Sequence, residues 1–288
     1  MIGERGNMNL SNSILQREFT LTSNDGLELF AKSWGDPQAS RAAVVLVHGL
    51  GEHCGRYEHV AQAFLSDGLY VLGFDQRGHG RSPGKRGLIP SYDQPLEDLA
   101  VALQCAQADA PSLPLFLYGH SLGGLEVLHY SLVRKPELHG VIATSPALMV
   151  STSTLNRMMA GLMKHVAPNM IVANGLDASA LSRDPQVGQA YLQDPLVHDK
   201  VSVRLGSYMM DMGRYVLDHA SEWSLPLYLA HGTADRICQF EGSAQFAAHA
   251  GAKVTFHPWE RLYHETHNEL NKDEVIQAML DWINAHLG

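Results

Sequence analysis

Gly119-His120-Ser121-Leu122-Gly123-Gly124 follows the short apolar run Leu113–Tyr118 and precedes a helix-like stretch, Leu125–Arg134. A strand that enters a helix through so short a turn carries the serine at its apex. Glycines two before and two after the serine, Gly119 and Gly123, remove side chains that would otherwise clash. Such a nucleophile elbow is strained, and it pushes the Ser121 hydroxyl out at the strand end towards the helix N-terminus. A bare G-x-S-x-G also occurs as an ordinary glycine-rich turn. The strand before it and the helix after it favour the elbow, which then demands a base, an acid and oxyanion donors elsewhere in the chain.

Outward from the elbow, strand and helix patterns alternate. Ala42–Val47 is a continuous apolar run rich in β-branched residues, as befits a strand buried on both faces. A helix over Tyr57–Ser66, a strand over Leu69–Phe74, a helix over Ser91–Ala108 and a strand over Gly140–Ser145 complete the series. Upstream, Asn24-Asp25-Gly26 separates Arg17–Thr22 from Leu27–Trp34 and signals an antiparallel hairpin. The expected fold class is therefore α/β, a mostly parallel sheet with helices on both faces. Sites in such sheets form at the carboxyl ends of strands, where His48, Asp75, Ser121 and Ser145 all fall. Met1–Ser13 reads as a structureless tail.

The alternation stops at Pro146 and resumes with a strand over Leu225–Ala230, a helix over Gln239–Ala248, a strand over Lys253–Phe256 and a closing helix over Lys272–Leu287. Two core segments, 14–146 and 223–288, thus flank an inserted helical cap, 147–222, with helix-like pieces and no strand signal. Its first helix carries Leu155, Met158, Met159, Leu162 and Met163 on one stripe. Eight of the eleven methionines fall in the insertion, suiting an adaptable apolar surface. Met158, Met159 and Leu162 are accordingly candidates for an acyl pocket under a mobile lid. The same cluster suggests transient contact with a membrane surface.

With 288 residues the chain can bury a large core, and its net charge of −9 without a basic stripe argues against nucleic acid. Three cysteines, Cys54, Cys105 and Cys238, show no framework spacing and suit a reducing compartment. Neither a secretory signal nor a membrane-spanning run is visible, so a soluble, cytoplasmic protein is expected.

A serine hydroxyl needs a base, usually a histidine held in the right tautomer by a carboxylate, in the order Ser, Asp or Glu, His. Asp235, in His231-Gly232-Thr233-Ala234-Asp235-Arg236, lies just past a strand; Asp211 and Asp218 lie on the cap. For the base, His257, His264 and His267 follow the last strand. His257 abuts Pro258 and reads as a packing residue, and spacing alone leaves His264 and His267 as alternatives. Oxyanion donors are expected from the backbone N–H of Leu122 and of Leu50, in His48-Gly49-Leu50-Gly51.

The set His48-Gly49-x-Gly51-Glu52-His53 with Arg56-Tyr57, Asp75-x-Arg77-Gly78-His79-Gly80-Arg81-Ser82, Gly119–Gly124, His231-Gly232-x-x-Asp235 and Tyr263-His264 resembles the monoacylglycerol lipase and lysophospholipase branch of the α/β-hydrolase family. The resemblance covers roughly Arg17 to Leu287. It implies the α/β-hydrolase fold, His264 as the base, and Glu52, Arg56 and His267 around a polar pocket for a glycerol head group. Cys238 matches a cysteine found after the acid in mammalian members. Leu50 stands where a small residue is common, and Gln76 where histidine is common.

Other motifs fail. Cys54 replaces the third glycine of a dinucleotide loop, Gly80–Lys85 is one residue short of a phosphate loop, and His264-Glu265-Thr266-His267 lacks the i, i+4 pair of a zinc helix. Asp75 and Arg77–Ser82 read as a structural turn in which arginine bonds backbone carbonyls. The expectation is a serine ester hydrolase acting on a monoacylglycerol or similar single-chain lipid ester, with no metal or organic cofactor. Its competitors are a lysophospholipase, a general carboxylesterase and a non-catalytic ligand receptor on the same fold.

Overall fold

The computed structural model of the protein describes residues 16–151 and 162–287. The expected N-terminal tail and three residues of the apolar stripe, Leu155, Met158 and Met159, lie outside them. The sheet has eight strands: β1 (Gln16–Thr22), β2 (Glu28–Trp34), β3 (Ala42–Val47), β4 (Leu69–Phe74), β5 (Leu115–His120), β6 (Gly140–Thr144), β9 (Leu227–Gly232) and β10 (Val254–Trp259). Their spatial order is β1-β2-β4-β3-β5-β6-β9-β10. β1 and β2 form an antiparallel hairpin whose turn uses Gly26 at φ 84°, and β2 also runs antiparallel to β4. Every other neighbour pair is parallel. This is the α/β-hydrolase architecture, as expected.

Alternation along each strand builds two cores, one per sheet face. From β3, Val45 and Val47 join the cluster containing Leu99, Leu125 and Leu128, whereas Val44 and Leu46 join Phe64, Met279 and Trp282. The first face is covered by α2 (Gln94–Asp109) and α3 (Leu122–Arg134), the second by α1 (Glu58–Ser66) and the closing helix Lys272–Ala285.

Residues 147–222 connect β6 to β9. The sequence offered no strand there, yet β7 (Ile171–Ala173) and β8 (Lys200–Ser202) pair antiparallel, with Val172 opposite Val201. Strands of three residues are too short for alternation to register. The described α-helices of this segment are 162–166, α4 (Pro185–Gln193) and α5 (Val203–Asp218). Leu205, Tyr208, Met209 and Val216 of α5 belong to the same core cluster as α3, so this end of the segment shares the core of the sheet. After β9 comes α6 (Phe240–Ala250), and the closing helix is α7. β10 runs three residues past its expected end at Phe256, through His257 and Pro258. It is an edge strand, where a missing proline N–H costs no ladder bond.

One local expectation is corrected. Arg77 does not bond carbonyls; it pairs with Asp98 at 2.6 Å and Asp25 at 3.0 Å. A guanidinium this buried needs countercharge. Asp75 holds the turn instead, accepting the Cys54 and Arg81 N–H groups at 2.8 Å each.

Candidate active site

Ser121 sits between β5 and α3 with φ 55° and ψ −115°, a conformation that costs a non-glycine residue about 1–3 kcal/mol. A Cβ on Gly119 would overlap the Gly123 carbonyl, and one on Gly123 would overlap the Val47 and His48 carbonyls. The two flanking glycines are therefore steric requirements of the turn. Around the serine, its N–H donates to Thr144 O at 3.0 Å, and its carbonyl accepts the Leu125 and Ala147 N–H groups at 2.9 Å each.

Asp235 follows β9 and is enclosed by donors. Oδ1 accepts the Ile237 and Cys238 N–H groups at 2.7 and 3.0 Å. Oδ2 lies 2.7 Å from His264 Nδ1 and 3.0 Å from His231 Nε2. Burial opposes ionisation of Asp235, but the neighbouring imidazoles more than offset it and hold the carboxyl below the usual carboxylate range. Burial likewise opposes charging His264, yet Asp235, aided by Glu265 and Glu52, raises its pKa above the ordinary value. With Nδ1 committed to Asp235, Nε2 is the ring nitrogen left to meet the cavity that His264 and Ser121 both line.

The loop carrying His264 is pinned from the neighbouring strand end. Ser145, at φ 44°, donates its hydroxyl to His264 O at 2.7 Å, and its own N–H bonds Ala230 O. Leu181 O accepts the Glu265 N–H at 2.7 Å from the 147–222 segment.

Leu50 also lines the cavity, and Leu122 opens α3 directly after Ser121. Among the described residues, neither N–H donates to a protein acceptor. His48 braces this loop: its Nε2 accepts the Gln76 N–H at 2.9 Å, which leaves Nδ1–H to donate to Gly49 O at 2.7 Å. Burial depresses the His48 pKa to about 3, so the ring stays neutral. The Gln76 side chain donates to His48 O at 2.6 Å, which gives the glutamine a bracing role in this chain.

Glu52, Arg56 and His267 come close to the cavity in different ways. Glu52 lines it, with Oε1 accepting the Gly49 N–H at 2.6 Å and the Tyr57 hydroxyl at 2.7 Å. Arg56 lies behind, bonding Glu52 and forking onto both Glu265 oxygens at 2.7 and 2.9 Å. The guanidinium holds the Glu265 carboxyl down to about 2 against its burial. His267 is fully buried, stacked 4.8 Å from Tyr57 and edge-on to His120 at 4.7 Å, and is not among the residues lining the cavity. Burial also keeps both His267 and His120 low in pKa. Asp235 therefore engages His264, and among the described residues His267 has no carboxylate partner.

The cavity measures about 290 Å³. Its lining is mixed: Val150, Leu176, Leu181, Met209 and Ile237 are apolar, and Glu52, Glu265, Asn174, Tyr191 and Arg236 are polar. Tyr191 also lies under the Arg56 guanidinium, 4.9 Å from ring centroid to Cζ. Of the apolar-pocket candidates, Leu162 is 68% exposed, while Met158 and Met159 lie outside the described residues. Met209 of α5 is the methionine that lines the cavity among the described residues. Asn174, Tyr191, Ser145 and Glu265 carry no motif signal of their own. Topology brings them here.

The segment 147–222 is bonded to the core beside this cavity. The His198 N–H donates to Gly51 O at 2.9 Å, and Asp194 Oδ2 meets His53 Nε2 at 2.9 Å.

Comparison with known proteins gives the family. Residues 38–271 match the family model described as serine aminopeptidase, S33. The chain is 34% identical to a monoacylglycerol lipase of Mycolicibacterium smegmatis over 96% of this chain and 99% of the relative. It is 37% identical to an uncharacterized abhydrolase domain-containing protein of Dictyostelium discoideum over 93% of this chain, spanning 29% of that relative's length. Among solved structures, the monoacylglycerol lipase of Paleococcus ferrophilus superposes with a TM-score of 0.84 at 35% identity, covering 90% of this chain and all of that one. The chain belongs to the α/β-hydrolase family, in the branch that contains the monoglyceride lipases.

Proposed function

We propose that the protein is a serine ester hydrolase that cleaves monoacylglycerols to fatty acid and glycerol through an acyl-enzyme. Ser121, His264 and Asp235 are the catalytic residues of this reading, with the Leu50 and Leu122 N–H groups as the oxyanion hole. His264 Nε2 removes the Ser121 proton as Oγ attacks the ester carbonyl, and Asp235 holds the ring and stabilises the imidazolium. The carbonyl oxygen gains charge between the two backbone donors, which have no competing protein acceptor among the described residues. His264 then protonates the departing glycerol oxygen, and a water deprotonated by His264 releases the fatty acid.

The observation that carries the substrate class is the mixed lining of the cavity. A single acyl chain suits Val150, Leu176, Leu181 and Ile237, and a hydroxylated head suits Glu52, Glu265, Asn174 and Tyr191. The names of the Mycolicibacterium and Paleococcus proteins support the same substrate. The segment 147–222 acts in this reading as the cap over the acyl chain, meeting a lipid surface through the exposed Leu162, Val166, Met170 and Val172.

The test is hydrolysis of a monoacylglycerol, a lysophospholipid and a p-nitrophenyl ester sharing one acyl chain. The reading expects the monoacylglycerol to have the highest kcat/KM of the two natural lipids. Preference for the lysophospholipid, or turnover of the nitrophenyl ester alone, contradicts it.

A further inference from the structure

Among the cavity-lining residues, one side-chain amide is oriented by its own backbone, and its nitrogen has no partner among the described residues. Asn174 follows β7, and its N–H donates to Asp199 O at 2.7 Å. Its Oδ1 accepts the Leu176 N–H at 2.9 Å, closing an Asx turn around Gly175 at φ 69°. Only the oxygen of the amide can accept from an N–H, so this turn also decides where the nitrogen points. Nδ2 is buried without an acceptor in a residue that lines the cavity. Tyr191, which also lines the cavity, has a buried Oη without a partner among the described residues as well.

Both orphan groups lie near Gly51. A Cβ built there would lie 3.2 Å from Tyr191 Oη and 3.6 Å from Asn174 Nδ2, and would overlap the His198 carbonyl. Gly51 directly follows Leu50, whose N–H has no acceptor among the described residues. A donor amide near the oxyanion loop, in a cavity that Glu52 and Glu265 also line, suits a group that accepts and donates at once. A hydroxyl does both, and an anion only accepts.

We propose that Asn174 is a specificity-determining residue, whose Nδ2–H donates a hydrogen bond to a hydroxyl oxygen of the substrate's alcohol portion. The assignment rests on the monoacylglycerol reading of the cavity. Asn174 reads the head group and takes no part in bond making. Its loss therefore falls on esters with a hydroxylated leaving group and spares esters without one.

The experiment compares wild type, Asn174→Ala and Asn174→Asp on a monoacylglycerol and on the p-nitrophenyl ester of the same fatty acid. Aspartate keeps an oxygen for the Leu176 N–H while removing the donor, so it separates the turn from the hydrogen bond. The expected result is a KM for the monoacylglycerol raised about tenfold in both variants, with kcat within about twofold and the nitrophenyl ester unaffected. Equal losses on both esters, no loss on either, or full rescue by aspartate overturns the assignment alone. A wild type active on the nitrophenyl ester but on no monoacylglycerol overturns the substrate reading, and the role of Asn174 with it.

Discussion

His264 Nδ1 and Asp235 Oδ2 stand 2.7 Å apart, and the same oxygen lies 3.0 Å from His231 Nε2. Asp235 thus holds two imidazoles, of which only His264 lines the cavity with Ser121. His231 is turned the other way, with Nδ1 2.7 Å from the Ser243 hydroxyl. This pairing raises the His264 pKa. A general base works only when neutral, so kcat/KM should rise with pH through an apparent pKa above the ordinary histidine value and be lost below it. In Asp235→Asn the raising charge is gone, and the inflection should move to lower pH while kcat falls by roughly 10³–10⁴-fold. A pH profile of both proteins checks this; an unmoved inflection contradicts the pairing.

Ser145 tests the scaffold behind the base. Its hydroxyl donates to the His264 carbonyl inside the protein. Ser145→Ala leaves that buried oxygen with the Thr266 N–H as its remaining donor, at a cost of about 0.5–1.5 kcal/mol, and lets the His264 loop shift. Urea unfolding should register the loss, and kcat should fall more than KM changes. Unaltered stability and turnover would show the bond to be idle.

Arg56 sits between Glu52 and Glu265, and both carboxylates are buried. Arg56→Ala removes their shared countercharge and should destabilise the fold by about 3–5 kcal/mol. Arg56→Met together with Glu265→Gln should recover part of that loss, measured by equilibrium unfolding. A single variant as stable as wild type would contradict the network.

The cap should bind lipid through its exposed apolar side chains, Leu162 at 68% and Val166 at 73% exposure. Cosedimentation with neutral phosphatidylcholine vesicles should weaken several-fold in a Leu162→Ser, Val166→Ser double variant. Equal partition of the two proteins would contradict the contact.

The sheet and its rim were legible because both obey local rules. Strands buried on two faces read as unbroken apolar runs, and the turn at Ser121 announces itself by glycines that steric overlap makes necessary. Spacing left His264 and His267 as alternatives for the base, and the resemblance alone pointed to His264, because spacing says nothing of which ring meets Asp235. In the structure His264 meets Asp235, and His267 is packed between Tyr57 and His120. Arg77 was misread because its partners, Asp25 and Asp98, are far away in sequence. Within 147–222, three-residue strands fall below any periodic signal, and Asn174 and Tyr191 reach the cavity only through tertiary docking.

The most direct test of the central claim is monoacylglycerol turnover by wild type and Ser121→Ala, with circular dichroism confirming that both are folded. The account predicts fatty acid and glycerol released in equal amounts by wild type, and a kcat at least roughly 10⁴-fold lower in the variant. A folded Ser121→Ala protein retaining turnover within tenfold of wild type would contradict it.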